Sequence, residues 1–170
     1  SLASLTQVEH LVYTGGGAFD GTGNDLANSL TGGDGNDTLD GGLGNDTLTG
    51  GLGDDTYAIN ALTDVIVENP GGGSDTVVVG IASGTYLLGA HLENALAGGS
   101  GAVNITGNAL DNVIEGNSGN NSLVGGDGTD TLDGQGGVDT VDGGLGTDTL
   151  ILGGNREDYG SVQRINLTDI

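Results

Sequence analysis

Gly32–Asp40 reads GGDGNDTLD, and the chain then says nearly the same thing twice more, as GGLGNDTLT over Gly41–Thr49 and GGLGDDTYA over Gly50–Ala58. A second run gives GGDGTDTLD from Gly125, GQGGVDTVD from Gly134 and GGLGTDTLI from Gly143. A fixed nine-residue period marks an architecture of stacked repeats rather than a mixed globular core. In this frame position six is always acidic, at Asp37, Asp46, Asp55, Asp130, Asp139 and Asp148. Position eight is always apolar, at Leu39, Leu48, Tyr57, Leu132, Val141 and Leu150.

Outside the strict repeats the frame persists in weaker form. Asn28 and Leu30 precede the first run, and Asn112, Ile114, Asn121 and Leu123 precede the second, with Asn standing for Asp. Asp64 with Ile66, and Glu157 with Tyr159, keep the spacing downstream after the glycines are lost. Glu68 to Pro70 reads as a three-residue slip between frames. A longer repeat lies on top, because sliding the chain by 84 residues lays Val8–Ala58 over Leu92–Asp142. We therefore expect two tandem blocks, 1–60 with its lead-in and 98–160. Residues 61–97 would bridge them through the strand-like stretches DVIVEN and SDTVVVG, and 161–170 would form a capping strand or linker.

Glycine at positions one, two and four opens backbone angles closed to other residues, so the first six residues can make a tight turn. The last three are extended, the apolar side chain pointing one way and its neighbours the other, as a short strand requires. Two nonapeptides, turn-strand-turn-strand, close one coil of an all-β solenoid. Successive coils stack at roughly the 4.8 Å strand spacing.

Composition agrees with a thin core. The 170 residues include 38 glycines, one proline, one Phe, four Tyr and no Trp or Met. Charge is more decisive, since 24 acidic residues face two arginines and no lysine, for a net charge of -22. Such a polyanion has no basic footprint for nucleic acid and is repelled by an anionic membrane surface. Without lysine there is no phosphate-binding loop of the Walker type, so the many Gly-x-Gly matches carry no such meaning. Absence of cysteine excludes disulfides and thiolate chemistry. SLASLTQVEHL lacks the basic start and apolar run of a signal peptide, and no segment approaches a membrane span. The chain reads as a piece of something longer.

Stacking coils brings like charges together along each edge of the solenoid, a repulsive ladder unless cations neutralise it. Alternate repeats share an edge, which pairs Asp37 with Asp55 and Asp130 with Asp148. On the opposite edge Asp46 meets Asn28 or Asp64, and Asp139 meets Asn121 or Glu157. The turn glycines Gly33, Gly35, Gly42, Gly44, Gly51, Gly53, Gly126, Gly128, Gly137, Gly144 and Gly146 would add carbonyl oxygens. Hard oxygen ligands at high density select calcium, whereas magnesium demands a tighter octahedron and keeps its waters. Asn partners surrender a charge and make weaker sites. The paired edges suggest about five to eight calcium ions, enough to cancel about half of the net charge. A glycine-rich chain with one apolar residue per repeat gains too little from burial to offset its ordering entropy. Metal binding to sites that exist only when folded supplies the remainder, so folding should be cooperative in calcium.

The consensus G-G-x-G-x-D-x-U-x, carried in tandem at Gly32–Ala58 and Gly125–Ile151, resembles the repeats-in-toxin (RTX) family of haemolysin-type calcium-binding repeats. Looser resemblance runs from about Val8 to Tyr159. It implies a right-handed parallel β-roll, disordered without calcium, exported from bacteria by a type I secretion machinery and folding outside the cell or at its surface. Departures are Gln135 for the second glycine, Asn112 and Asn121 for Asp, and no glycine turn before Asp64.

Other readings weigh less. His10 and His91 fall at unrelated places under the 84-residue offset and belong to no shared constellation. Paired carboxylates can run acid-base chemistry, but these recur at every repeat while catalysis needs one asymmetric site. The expectation is a non-catalytic module, whose attached domain, if any, would carry any activity. Threonines at position seven (Thr38, Thr47, Thr56, Thr131, Thr140, Thr149) could order water, but Leu43, Leu52 and Leu145 at position three spoil a regular ice-binding face. An adhesin or surface-layer module contacting glycan or a neighbouring protein is the alternative from another class. Asn24, outside the strict frame, is expected to tolerate Ala.

Overall fold

The computed structural model describes residues 7–151, and among them all regular secondary structure is β. The chain divides into two compact units between Gly80 and Ile81. Glu157, Tyr159 and the expected cap at 161–170 lie outside the described residues.

In the first unit the strands are β1 (His10–Val12), β2 (Asp20–Thr22), β3 (Ser29–Asp34), β4 (Thr38–Asp40), β5 (Thr47–Leu52), β6 (Thr56–Ile59), β7 (Val65–Ile66) and β8 (Thr76–Val79). Strands alternate between two parallel sheets, β1-β3-β5-β7 on one side and β2-β4-β6-β8 on the other. Each strand therefore pairs with the one a full coil away: Leu30 with Leu48, Leu48 with Ile66, Leu39 with Tyr57. This is the β-solenoid expected from the period, two nonapeptides per coil.

The second unit repeats the plan with β9 (Gly84–Leu87), β10 (Asn94–Ala97), β11 (Val103–Thr106), β12 (Val113–Glu115), β13 (Ser122–Gly128), β14 (Thr131–Asp133), β15 (Thr140–Gly146) and β16 (Thr149–Ile151). Here β9-β11-β13-β15 form one parallel sheet, and β10, β12, β14 and β16 pair in order in another. The stretches read as a bridge are strands of the solenoid, with β7 and β8 in the first unit and β9 and β10 in the second.

Alternation of side chains explains the core. Position eight points inward and positions seven and nine outward, giving single rows of fully buried residues. In the first unit Leu30 and Leu48 make one row and Leu39, Tyr57 and Val77 the other. In the second unit Ile105 and Leu123 make one row and Ile114 and Leu132 the other, while Val103, also fully buried, stands at position six of its repeat.

Two expectations need correction. Thr38 pairs with Thr56, eighteen positions on, but Thr56 pairs with Thr76, twenty on. The slip near Glu68–Pro70 is thus an insertion of two residues, not three, because the ladder must bring like positions back into register. Position-one glycines, moreover, are not in left-handed conformations; within the strict repeats positive φ occurs at the second and fourth positions alone, as at Gly51 (119°) and Gly53 (114°). Gln135 holds the same left-handed turn at φ 62° despite its side chain.

Candidate metal centre

Each Asp at position six sits at the last step of its turn, just before a strand, with its side chain folded back under the turn. One carboxylate oxygen, Oδ1, accepts the backbone N–H of the equivalent residue in the preceding coil. The first unit contains the series Phe19 N–H to Asp37, Asp37 N–H to Asp55 and Asp55 N–H to Asp75, each 2.8 Å. On the other edge Asn28 N–H reaches Asp46 at 2.8 Å and Asp46 N–H reaches Asp64 at 3.1 Å. In the second unit Asn112 N–H donates to Asp130 at 2.8 Å, Asp130 N–H to Asp148 at 3.0 Å, and Asn121 N–H to Asp139 at 2.9 Å.

The second oxygen is different. Oδ2 of Asp37, Asp46, Asp55, Asp130 and Asp139 is buried and meets no hydrogen-bond donor. A buried ionised oxygen without a partner is costly, and a native fold supplies something positive to it. These same Oδ2 atoms explain the position-one glycines: a Cβ on Gly32, Gly41, Gly50, Gly125 or Gly134 would collide with the carboxylate of its own repeat. Glycine there is a matter of space for the aspartate, whereas at positions two and four it serves both backbone angle and close stacking. A Cβ on Gly51 or Gly144 would strike the carbonyl oxygen of Gly33 or Gly126 in the coil before. All eleven turn glycines expected near the cations have positive φ and lie in the same turns as the aspartates.

Electrostatics report the same deficit. Burial is the chief cause that raises the carboxyl of Asp55 from its ordinary 3.8 to about 7, opposed by the Asp37 N–H and reinforced by the charges of Asp75, Asp37 and Glu68. Burial likewise raises Asp46, Asp130 and Asp139, in each case against the lowering effect of the N–H that Oδ1 accepts. At Asp46, Asp55, Asp130 and Asp139 the ladder therefore penalises bare charge, and the oxygen-only donor set suits a hard divalent cation.

A sequence model described as the RTX calcium-binding nonapeptide repeat (4 copies) matches residues 22–57, 93–123 and 115–150, together more than half of the chain. The chain belongs to this repeat family. RTX repeats bind calcium, and the RTX β-roll is a structural calcium-binding module; the orphaned Oδ2 atoms are where this chain's residues fit such an ion. No curated protein and no solved structure matches the chain.

The expected neighbours are indeed brought together: Asp37 with Asp55, Asp130 with Asp148, Asp46 with Asn28 and Asp64, Asp139 with Asn121. They meet by N–H to carboxylate contact. Asp64 and Asp148, the last ladder aspartates of their edges among the described residues, are half-buried. Asn28 and Asn121 behave unlike the RTX aspartates, for their side-chain oxygens accept the N–H of Asn24 and Asn117 four residues earlier, at 2.7 and 2.9 Å. Their amide nitrogens are engaged too, Asn121 donating to the Val103 carbonyl at 2.7 Å. Asn112 follows the same plan, accepting from Asn108 at 2.9 Å and donating to the Glu93 carbonyl at 3.1 Å.

Sequence reasoning missed three groups. Asn24, read as dispensable, is buried; it accepts the Leu26 N–H at 2.8 Å and donates to the Val8 carbonyl at 2.9 Å. Asn108 and Asn117 do the same in their turns, so G-N-x-x-x-N is a second turn motif that was visible at Gly23, Gly107 and Gly116. Asp75 continues the Asp37–Asp55 edge, a role hidden by the two-residue insertion although SDT at Ser74–Thr76 echoes DDT at Asp54–Thr56. An outer tier also escaped notice, in which position-five side chains cap the next coil, as Asn36 does for Asp54 N–H at 3.0 Å.

Proposed function

We propose that this chain is the calcium-folded RTX module of a secreted bacterial protein, unfolded where calcium is scarce and folding outside the cell, where it stabilises or spaces an attached domain. The carrying observation is the row of buried Oδ2 atoms that no donor satisfies. Asp37, Asp46, Asp55, Asp130 and Asp139 would hold the ions, with Asp64 and Asp148 beside them on the same edges and carbonyls of the glycine turns around them. Bound calcium would supply the positive charge that lets these carboxylates remain ionised in a compact state. About five to eight ions would serve the paired edges. Export through a type I secretion machinery and an extracellular or cell-surface location rest on likeness to the family.

The test is circular dichroism during calcium titration, with magnesium as the control. β structure should appear cooperatively at about 0.1 to 1 mM calcium, and magnesium at the same concentrations should not substitute for it. Full β structure in calcium-stripped buffer at neutral pH would refute the proposal.

A further inference from the structure

We propose that Asp55, Glu68 and Asp75 form a divalent-cation site made by the departure from the repeat, which shares Asp55 with the aspartate ladder and adds a glutamate that no strict repeat supplies. One carboxylate oxygen from each lies within 4.8 Å of the others, a separation that a single ion can span. Glu68 and Asp75 fall beyond residues 22–57, the part of the first unit that matches the repeat family.

Glu68, two residues beyond β7, takes the register position that Gly50 holds within β5, since Thr47 and Leu48 pair with Val65 and Ile66. At Gly50 the aspartate of the same repeat fills the space a side chain would need. In the last turn of the unit that constraint is lifted by the two inserted residues, and a glutamate takes the position. Asp55 is 1% exposed and its Oδ2, aimed into this turn, meets no donor. Asp75, equally buried, receives the Asp55 N–H on Oδ1. Three carboxylates converge without a lysine or arginine among the described residues to balance them.

Tyr57 completes the arrangement as a positioning residue. It replaces the usual leucine of the buried row, and its hydroxyl accepts the Gly50 N–H at 2.8 Å and donates to Glu68 Oε1. The glutamate is thereby held beside the aspartates, its other oxygen, Oε2, accepting only the Asn69 N–H at 3.2 Å and keeping a lone pair for a cation. A trio carrying three formal charges should hold calcium more tightly than a turn with two, because affinity in oxygen sites rises with ligand charge.

Calcium bound at equilibrium should be counted by dialysis and elemental analysis for the full chain and for Glu68→Gln, Asp75→Asn and Asp130→Asn. Glu68→Gln and Asp75→Asn should each lose one ion and weaken the tightest binding step by about tenfold or more. Terbium, excited through tyrosine, gives a second readout. Tyr57→Phe should remove the emission that develops with the first ion while the ion count stays near that of the parent. The proposal rests on the calcium reading only for the choice of ion. Unchanged stoichiometry and affinity in Glu68→Gln, alongside loss of an ion in Asp130→Asn, would overturn the trio and leave the repeat sites standing. Absence of bound calcium in every form would overturn both.

Discussion

Two kinds of turn close the coils of this protein, and they solve one problem by opposite means. In the turns ending at Asn28, Asn112 and Asn121, an amide both accepts an N–H from its own loop and donates to a carbonyl one coil away. In those ending at Asp37, Asp46, Asp55, Asp130 and Asp139, one oxygen is satisfied by the preceding coil and the other is buried with nothing to meet it. An NH₂ group stands in the first kind where the second has a bare anionic oxygen. The amide turn is complete in itself; the carboxylate turn leaves a buried oxygen unsatisfied, which the proposal assigns to a cation. On the proposed reading, calcium dependence would be a local property of the carboxylate turns, superimposed on a solenoid plan that both kinds share.

Removing each kind of side chain should separate them. Asn121→Ala strips a buried amide and strands its partners, so it should lower stability by about 1–3 kcal/mol at every calcium concentration, measured by urea unfolding. Asn24→Ala should act in the same sense, against the expectation from sequence. Asp130→Ala should instead raise the calcium midpoint by about tenfold, equivalent to about 1.4 kcal/mol, and lower the number of ions bound. Equal calcium sensitivity in the two variants would abolish the distinction.

Protons should imitate calcium in the carboxylate turns, more weakly. The folded-state value of Asp55, about 7, lies above its ordinary 3.8, so the ion-free fold binds more protons than the unfolded chain. Stability from this group is then fully present below about 3.8 and lost as pH rises through about 7. In calcium-stripped buffer the β signal should be stronger at about pH 5 than at about pH 8. Because ion and proton compete for the same oxygens, the calcium midpoint should fall over that range. An apo form that gains structure with rising pH would contradict the buried-carboxylate account.

Smallest of all should be the effect of Gln135→Gly. A non-glycine residue at φ 62° is strained, and relief should stabilise the second unit by about 0.5–1 kcal/mol, seen as a higher Tm in calcium.

Much of this was legible before any coordinates. Period nine fixed the coil at two repeats, the alternation at Thr38-Leu39-Asp40 fixed which side chain faces inward, and charge pointed to a cation. The partners of Asp37 and Asp130 followed from counting alone. What could not be read is how a partner is approached. Nothing in the letters says that Asp37 offers its N–H to Asp55, or that Gly32 is small because Asp37 lies against it. Asn24 was misjudged because its hydrogen bonds belong to the G-N-x-x-x-N turn, which lies outside the strict nonapeptide frame. Asp75 and Glu68 were obscured by two extra residues, since a register argument fails wherever the register shifts.

Amide hydrogen exchange at Asp37 and Asp130, measured at neutral pH in calcium-stripped and calcium-saturated buffer, tests the central claim most directly. Both N–H groups donate to the carboxylate one coil on, so they report whether those coils are stacked. The account predicts strong protection with calcium and exchange close to that of an unfolded chain without it. Equal protection in the two buffers would show that the aspartate ladder stands without cations.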